Sequence, residues 1–237
     1  MIELNKIYFQ DCLEGMKLID DKSVDVIICD LPFNTTMNKW DVLIPLDKLW
    51  VEYERIAKDT CAIVLNAQCP FDKILGCSNL KLLKYEWIWE KEAGTGFLNA
   101  KKYPLKSHEN ILVFCKSVHK YNPQMEIGKP YTCKKGGLTN NYNKDSKENI
   151  VTVNNGERYP KTVLRFPRDK NKLHPTQKPV ALCEYLIKTY TNENDIVLDN
   201  CVGSGTTCLA AQNLNRNFIG FETDEKYYKI ACERISG

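Results

Sequence analysis

The stretch Asp199-Asn200-Cys201-Val202-Gly203-Ser204-Gly205-Thr206-Thr207 decides how this chain is read. It follows a short apolar run, DIVL at 195–198, and opens a segment at 206–214 whose apolar residues recur at helical spacing. Glycines let the backbone approach a ligand closely, and the free N–H groups at a helix start favour an anionic group such as a carboxylate or phosphate. Glu222 lies nineteen residues beyond Gly203, at the end of the next expected strand, where an acid accepts hydrogen bonds from ribose hydroxyls. Gly-x-Gly alone is equally a tight turn; with the strand, the helix and Glu222 it describes a nucleoside site. A phosphate-binding P-loop is excluded, because no lysine follows the second glycine.

Working outward, VDVIIC at 24–29, CAIVL at 61–65, YEWIW at 85–89, ILVFC at 111–115 and NFIGF at 217–221 join DIVL as short apolar runs, which reads as buried strands. Segments 46–58, 178–190, 206–214 and 224–235 carry apolar residues at helical spacing. Alternation of this kind predicts an α/β domain with a largely parallel sheet and helices on both faces. The strand at 24–29 ends in Asp30-Leu31-Pro32-Phe33. A carboxylate, a proline-stiffened backbone and an aromatic ring at the carboxyl edge of a parallel strand lie where such folds place their sites, although the motif taken alone is equally a strand end before a turn.

The 237 residues are enough for one domain with an insertion, and 43% apolar with 27% charged residues argues against wholesale disorder. No apolar run approaches the roughly 20 residues of a membrane span, and the N-terminus lacks the apolar stretch of a signal peptide, so a cytoplasmic protein without membrane contact is expected. The eleven cysteines include no Cys-x-x-Cys pair and no zinc spacing; a disulfide framework or a metal is not expected. The net charge of +3 hides an asymmetry: residues 115–172 carry a balance of +8, and the rest of the chain is net −5. Within that segment the strand and helix alternation lapses, Gly136-Gly137 and six asparagines between 140 and 155 appear, and tyrosines are interspersed. It reads as a solvated loop or, more sharply, as a basic insertion over 116–172 on which Lys134 and Lys135 meet phosphates while Asn140, Asn141 and Tyr142 reach bases.

These residues carry a family resemblance. Asp30-Leu31-Pro32-Phe33 is similar to the catalytic Asp-Pro-Pro-Tyr/Phe of DNA amino-methyltransferases of the N6-adenine/N4-cytosine type. His174-Pro175-Thr176-Gln177-Lys178-Pro179 resembles the element preceding that family's cofactor motif, and Asp199 to Thr207 resembles its S-adenosylmethionine loop. Gln10-Asp11-Cys12 and His108-Glu109-Asn110-Ile111-Leu112 look like further landmarks, and the order is that of the permuted β class. The resemblance spans the chain except about 116–158. It implies a Rossmann-like methyltransferase fold with a mostly parallel, seven-stranded sheet, and a single domain over 1–237 whose insertion recognises double-stranded DNA. It further implies S-adenosylmethionine as methyl donor and the flipping of a target base. A homodimer and a cognate restriction nuclease are the partners it suggests.

On the resemblance, Asp30, Leu31, Pro32 and Phe33 are catalytic. Asp11, Cys12, Asp30, Lys178, Asp199, Cys201, Gly203, Ser204, Gly205, Thr206 and Glu222 hold the cofactor. Asp11 is also readable as a turn residue, Lys178 as a helix start, and His174 as either a structural cap or a contact to the cofactor end. Leu31 stands where the family usually has its first proline; a contact made through the backbone carbonyl survives that change, with some loss of rigidity. Asn200 and Cys201 replace the commoner Pro-Phe, so one apolar contact to the cofactor is expected to be weaker. Adenine N6 is the expected target and cytosine N4 the alternative, because that subgroup more often has serine at the position of Asp30. Two rivals remain: a nicotinamide-dependent oxidoreductase, opposed by Cys208 where a third glycine belongs, and a non-catalytic DNA-binding protein, opposed by the intact Asp30, Pro32, Gly203 and Gly205.

Overall fold

A computed structural model of the chain describes residues 2–34, 41–135 and 150–237; the side chains of Lys135 and Ile150 are not included. The elements run β1 (Lys6–Phe9), α1 (Cys12–Met16), β2 (Val24–Asp30), α2 (Leu46–Ile56), β3 (Ala57–Ala67), α3 (Phe71–Ser78), β4 (Leu83–Thr95) and β5 (Lys106–Phe114). Four short strands follow: β6 (Glu126–Ile127), β7 (Tyr131–Lys135), β8 (Ile150–Asn154) and β9 (Glu157–Arg158). The chain closes with β10 (Val163–Arg165), α4 (Val180–Tyr190), β11 (Ile196–Asp199), α5 (Thr206–Asn213), β12 (Asn217–Glu222) and α6 (Glu225–Ser236).

The main sheet has the order β1-β12-β11-β2-β3-β5-β4-β10. It is parallel throughout except where β5 runs antiparallel to both β3 and β4. The mostly parallel sheet expected from the alternation is therefore present, with eight strands rather than seven. The extra strand is β10, three residues of the basic stretch whose Leu164 is buried beside β4. Strand β3 shows why helices must cover both faces. Cys61, Ile63, Leu65 and Ala67 pack with Met16, Leu49, Tyr53 and Leu75 of α1, α2 and α3, while Ala62 and Val64 pack with Leu186, Ala210 and Ala231 of α4, α5 and α6. Successive side chains of a strand point to opposite faces, so an unbroken apolar run needs two apolar layers.

Short elements escaped the periodicity. Strand β1 and helix α1 are four and five residues long, too short for a pattern to repeat, and the eight-residue α3 escaped it as well. Helix α1 is held by a cap instead: Asp11 Oδ1 accepts from the N–H groups of Leu13 at 2.9 Å and Glu14 at 3.2 Å.

Two compact units are present. One comprises residues 1–122 and 162–237 and contains the main sheet; the other is 123–161. The second unit lies within the basic stretch 116–172, whose residues 116–122 and 162–172, with β10, fall in the first unit. Within it, β7 pairs with β8 and β6 with β9, both antiparallel, and Arg158 lies over the Tyr131 ring at 4.6 Å.

Candidate active site

Strands β2 and β11 are parallel neighbours, Val197 opposite Val26 and Leu198 opposite Ile27. Asp30 and Asp199 therefore end adjacent strands at the same sheet edge, where open α/β sheets form their ligand crevice. A cavity of about 580 Å³ opens there, lined from β2 by Asp30, Leu31, Pro32 and Phe33 and from the glycine turn by Asp199 to Ser204, with Glu222 from the end of β12. Asp11, Cys12, Thr206 and Lys178 line it too. The two motifs stand 169 residues apart in sequence, and the sheet order brings them side by side.

At the β2 end, the Lys178 ammonium donates to Asp30 Oδ2 and lies 3.2 Å from Glu109 Oε2; Lys91 reaches Glu109 Oε1 at 2.5 Å. Two ammoniums thus alternate with two carboxylates. Burial pushes the Asp30 carboxyl above its usual range, and the Lys178 ammonium offsets only part of that rise. Burial acts on Glu109 as well, but Lys178 and Lys91 outweigh it and hold the carboxyl low. Lys178 is buried and stays protonated, its two carboxylate partners overcoming the cost of burial. Asp30 Oδ1 is shielded from solvent and has no hydrogen-bond partner among the described residues, and Asn66 Oδ1, across from Asp30 on β3, shares that condition. A buried oxygen without a donor is costly and marks a place for a donor to arrive. The Phe33 ring stacks on Phe71 at 5.1 Å, forming an aromatic wall next to the carboxylate.

At the ends of β11 and β12 the acids are satisfied by the chain itself. Glu222 Oε2 accepts from the Gly203 N–H at 2.7 Å, while Oε1 accepts from Thr223 and Asp224 at 2.9 and 2.8 Å. Asp199 Oδ1 accepts from the Cys201 N–H at 3.1 Å, and burial pushes its carboxyl up to about 6. Ser204 donates to Gln177 Oε1 at 3.1 Å, and Arg234 donates to the Ser204 carbonyl and Thr206 Oγ1 at 3.1 and 3.0 Å. Gly203 and Gly205 both have positive φ, +55° and +84°. A methyl on Gly205 would press on Ala231 at 3.1 Å, whereas one on Gly203 would meet no protein atom within 4 Å. Gly203 thus borders space that the protein leaves open. Asn200, in place of the commoner proline, accepts from the Tyr53 hydroxyl at 2.6 Å, so this departure trades an apolar contact for a buried hydrogen bond.

The structure refines several expectations. Asp11 lines the cavity while its Oδ1 caps α1, so the turn reading and the site reading describe one residue. The Lys178 ammonium is engaged by Asp30 and Glu109. His174 lines the cavity as well, with its Nδ1 accepting from the Thr176 N–H at 3.2 Å and its ring packed on Tyr227 at 4.2 Å. Burial, with Lys178 nearby, lowers its pKa to about 4. Lys134 is exposed on β7 of the second unit and Lys135 ends that strand. Asn140, Asn141 and Tyr142 lie outside the described residues. Sequence reasoning missed Asn66, Lys91 and the ionic role of Glu109. The available signal was a charged residue heading the apolar run 111–115, since a charge at the head of a buried strand needs a partner.

Among the described residues no group of three or more His, Cys, Asp or Glu side chains is arranged to hold a metal ion, and all eleven cysteines are free thiols. No helix among the described residues is long and apolar enough to cross a membrane.

An acid-bearing strand end beside a glycine turn, at the carboxyl edge of a mostly parallel sheet, defines the ligand crevice of a Rossmann-like α/β fold. Residues 24–233 match the family model described as DNA methylase, of the N6/N4 type, and the chain belongs to that family. It is 30% identical to the type II methyltransferase M1.MboII of Moraxella bovis, covering 98% of this chain and 96% of that one. It is also 31% identical to the DNA adenine methyltransferase YhdJ of Escherichia coli K12, covering 98% and 83%. A crystal structure of M1.HpyAVI with SAM superposes with a TM-score of 0.64 at 27% identity over 97% of this chain and 98% of that one. The cytosine-N4-specific PvuII DNA methyltransferase shares the fold, with a TM-score of 0.70 at 16% identity over 97% and 85%. The oxidoreductase reading of Gly203-Ser204-Gly205 is overturned by this membership.

Proposed function

We propose that this DNA methyltransferase transfers a methyl group from S-adenosylmethionine to adenine N6 at a specific site in duplex DNA, taking the target base out of the helix. The observation that carries the reading is Asp30 Oδ1, buried at the cavity and left without a donor. An exocyclic amine brings two N–H donors. Asp30 accepts one and the Leu31 carbonyl the other, which favours a pyramidal nitrogen with its lone pair free and stabilises positive charge as it develops there. The proton that leaves the methylated nitrogen passes to Asp30, whose affinity for protons is raised by burial. Phe33 stacks on the extruded base and offsets part of the unstacking cost, a few kcal/mol.

S-adenosylmethionine, when bound, supplies an electrophilic methyl group on a positively charged sulfur. The residues suit it: the space beside Gly203 is open, and the acids Asp11, Asp199 and Glu222 line the cavity. Glu222 meets the ribose, Asp11 and Cys12 the adenine, and Asp199, Cys201 and the turn Gly203-Ser204-Gly205-Thr206 the methionine portion. Lys178 acts through Asp30.

Adenine is favoured over cytosine by Asp30 itself and by likeness to a relative named as an adenine methyltransferase. The unit at 123–161 with its flanks contacts DNA through Lys134 and Lys135, and Asn140, Asn141 and Tyr142 contribute to site preference. A homodimer and a cognate restriction nuclease are the proposed protein partners. The test is expression in a host whose DNA lacks modified adenine, followed by modified-base sequencing. N6-methyladenine at one recurring sequence supports the reading, N4-methylcytosine replaces it with the alternative, and unmodified DNA from an active expression host favours the non-catalytic DNA-binding rival.

A further inference from the structure

The hairpin joining β4 to β5 rises from the rim of the cavity. Lys91 and Thr95 of β4 line the cavity, Thr95 is registered with Lys106 of β5, and the Lys106 ammonium donates to the cavity-lining Gln68 at 3.3 Å. Beyond Thr95 the chain turns at Gly96, φ +93°, into a single 3₁₀ turn, Phe97–Asn99. Backbone hydrogen bonds close it: Asn99 donates to Gly96 at 3.0 Å, Ala100 to Phe97 at 3.1 Å, and Lys102 and Tyr103 to Asn99 at 2.8 and 2.9 Å. A tip tied this way is ordered, yet Phe97 is 70% exposed, Tyr103 68% and Leu98 fully exposed. Single exposed apolar residues are ordinary; three large ones on one ordered tip beside a binding cavity call for a partner. The partner's charge is legible as well. Residues 93–108 contain Lys101, Lys102 and Lys106 and no acid.

Apolar side chains on a firm support, flanked by cations and placed beside a cavity that receives an extruded base, match one occupant, the DNA duplex itself. Proteins that unstack DNA insert Phe or Leu between base pairs while Lys and Arg hold the neighbouring phosphates. We propose that the β4–β5 tip is the wedge that enters the duplex as the target base leaves it, with Phe97 and Leu98 against the stack and Lys101 and Lys102 on the flanking phosphates. This rests on the methyltransferase reading above and adds an element of the catalytic body to the contacts assigned to residues 123–161.

The test uses the full-length protein and oligonucleotide duplexes carrying the site found by modified-base sequencing. Phe97→Ala/Leu98→Ala is compared with wild type on a fully paired duplex and on one with an abasic position opposite the target, which weakens the target base's hold on the stack. The expected result is a loss of about tenfold or more in turnover on the paired duplex, largely recovered on the abasic one, with loss of the fluorescence rise of 2-aminopurine placed at the target. Lys101→Gln/Lys102→Gln should instead lower the salt slope of duplex binding by about 0.9 per phosphate contact. Equal turnover of the apolar variant and wild type on the paired duplex overturns the wedge while leaving the methyltransferase reading intact. A change in sedimentation of the DNA-free protein, with unchanged 2-aminopurine response, overturns it in favour of an interface between copies. No transfer by wild type into any duplex removes both readings together.

Discussion

The two strand ends that meet at the cavity treat their acids in opposite ways. At the ends of β11 and its neighbour β12, Asp199 and Glu222 accept four backbone N–H groups between them, so the turn is held by its own chain before any ligand arrives. After β2, Asp30 binds one ammonium and leaves its second oxygen bare in a buried place. A saturated acid shapes a site, whereas an unsaturated one waits to act on what enters. The proposed function thus divides ligand-holding, at the ends of β11 and β12, from chemistry, at the end of β2.

The sharpest way to break this comparison is Asp30→Ala. Methyl transfer should fall by at least about 10² to 10³, the scale for losing a preorganised transition-state partner, while calorimetric titration shows near-normal affinity for S-adenosylmethionine. Near-normal turnover would end the division of labour proposed for the two ends.

Lys178→Met probes the same end through charge. The Asp30 carboxyl already lies above its usual range because of burial. Loss of the Lys178 ammonium removes the main charge opposing that rise and leaves the Glu109 carboxylate, which pushes the same way, with only the more remote Lys91 in opposition, so the pKa rises further. On the proposed mechanism Asp30 acts as the carboxylate, so turnover should be lost as pH falls through its pKa. The acid limb of the pH–rate profile should therefore move to higher pH in the variant, with partial recovery of rate under alkaline conditions. Glu109→Gln should give a smaller change, since it leaves the Lys178–Asp30 contact in place. An acid limb at the wild-type position in Lys178→Met would show that the ammonium does not tune Asp30.

At the other end, Glu222→Ala removes the acceptor of three N–H groups, and Gly203→Ala adds a methyl to the open space while holding an L-residue at φ +55°. Each should weaken S-adenosylmethionine binding by about tenfold or more, on the order of 1–2 kcal/mol from unsatisfied donors or left-handed strain. Calorimetry reads this directly; wild-type affinity in both would place the cofactor elsewhere.

Two smaller effects lie outside the pair. Lys134→Ala/Lys135→Ala should weaken duplex binding across sequences and reduce the salt slope by about 0.9 per lost contact, leaving cofactor affinity alone. For His174 the folded pKa of about 4 lies below the usual 6.5, so the unfolded chain binds more protons between these values and stability falls as pH drops through that window. In His174→Gln, denaturant midpoints at pH 4.5 and 6.5 should lie closer together than in wild type.

Much of the site was legible because it is local in sequence. Asp199 to Thr207 with Glu222, and Asp30 to Phe33 after VDVIIC, each combine a strand run with residue types suited to its carboxyl end, and such signals survive without knowledge of the fold. The ion chain was not legible in this way. Lys178 and Asp30 are 148 residues apart, and Lys178 in sequence looks like an ordinary helix start. Asn66 is an unremarked polar residue after CAIVL until strand pairing sets it opposite Asp30. Strand β10 was hidden in a basic stretch, since three residues carry no period.

The sequence by itself determined the alternating α/β pattern, the order of the motifs and the residue types that line the cavity from the ends of β2 and β11, because spacing and turn chemistry act over a few residues. Tertiary structure alone decided which oxygen of Asp30 stays unpaired, that Asp30 and Glu109 bracket Lys178 while Lys91 holds the far oxygen of Glu109, and that burial raises Asp30 while paired ammoniums lower Glu109. Desolvation and charge pairing depend on neighbours in space, and in this sheet those neighbours come from β2, β4, β5 and the segment before α4.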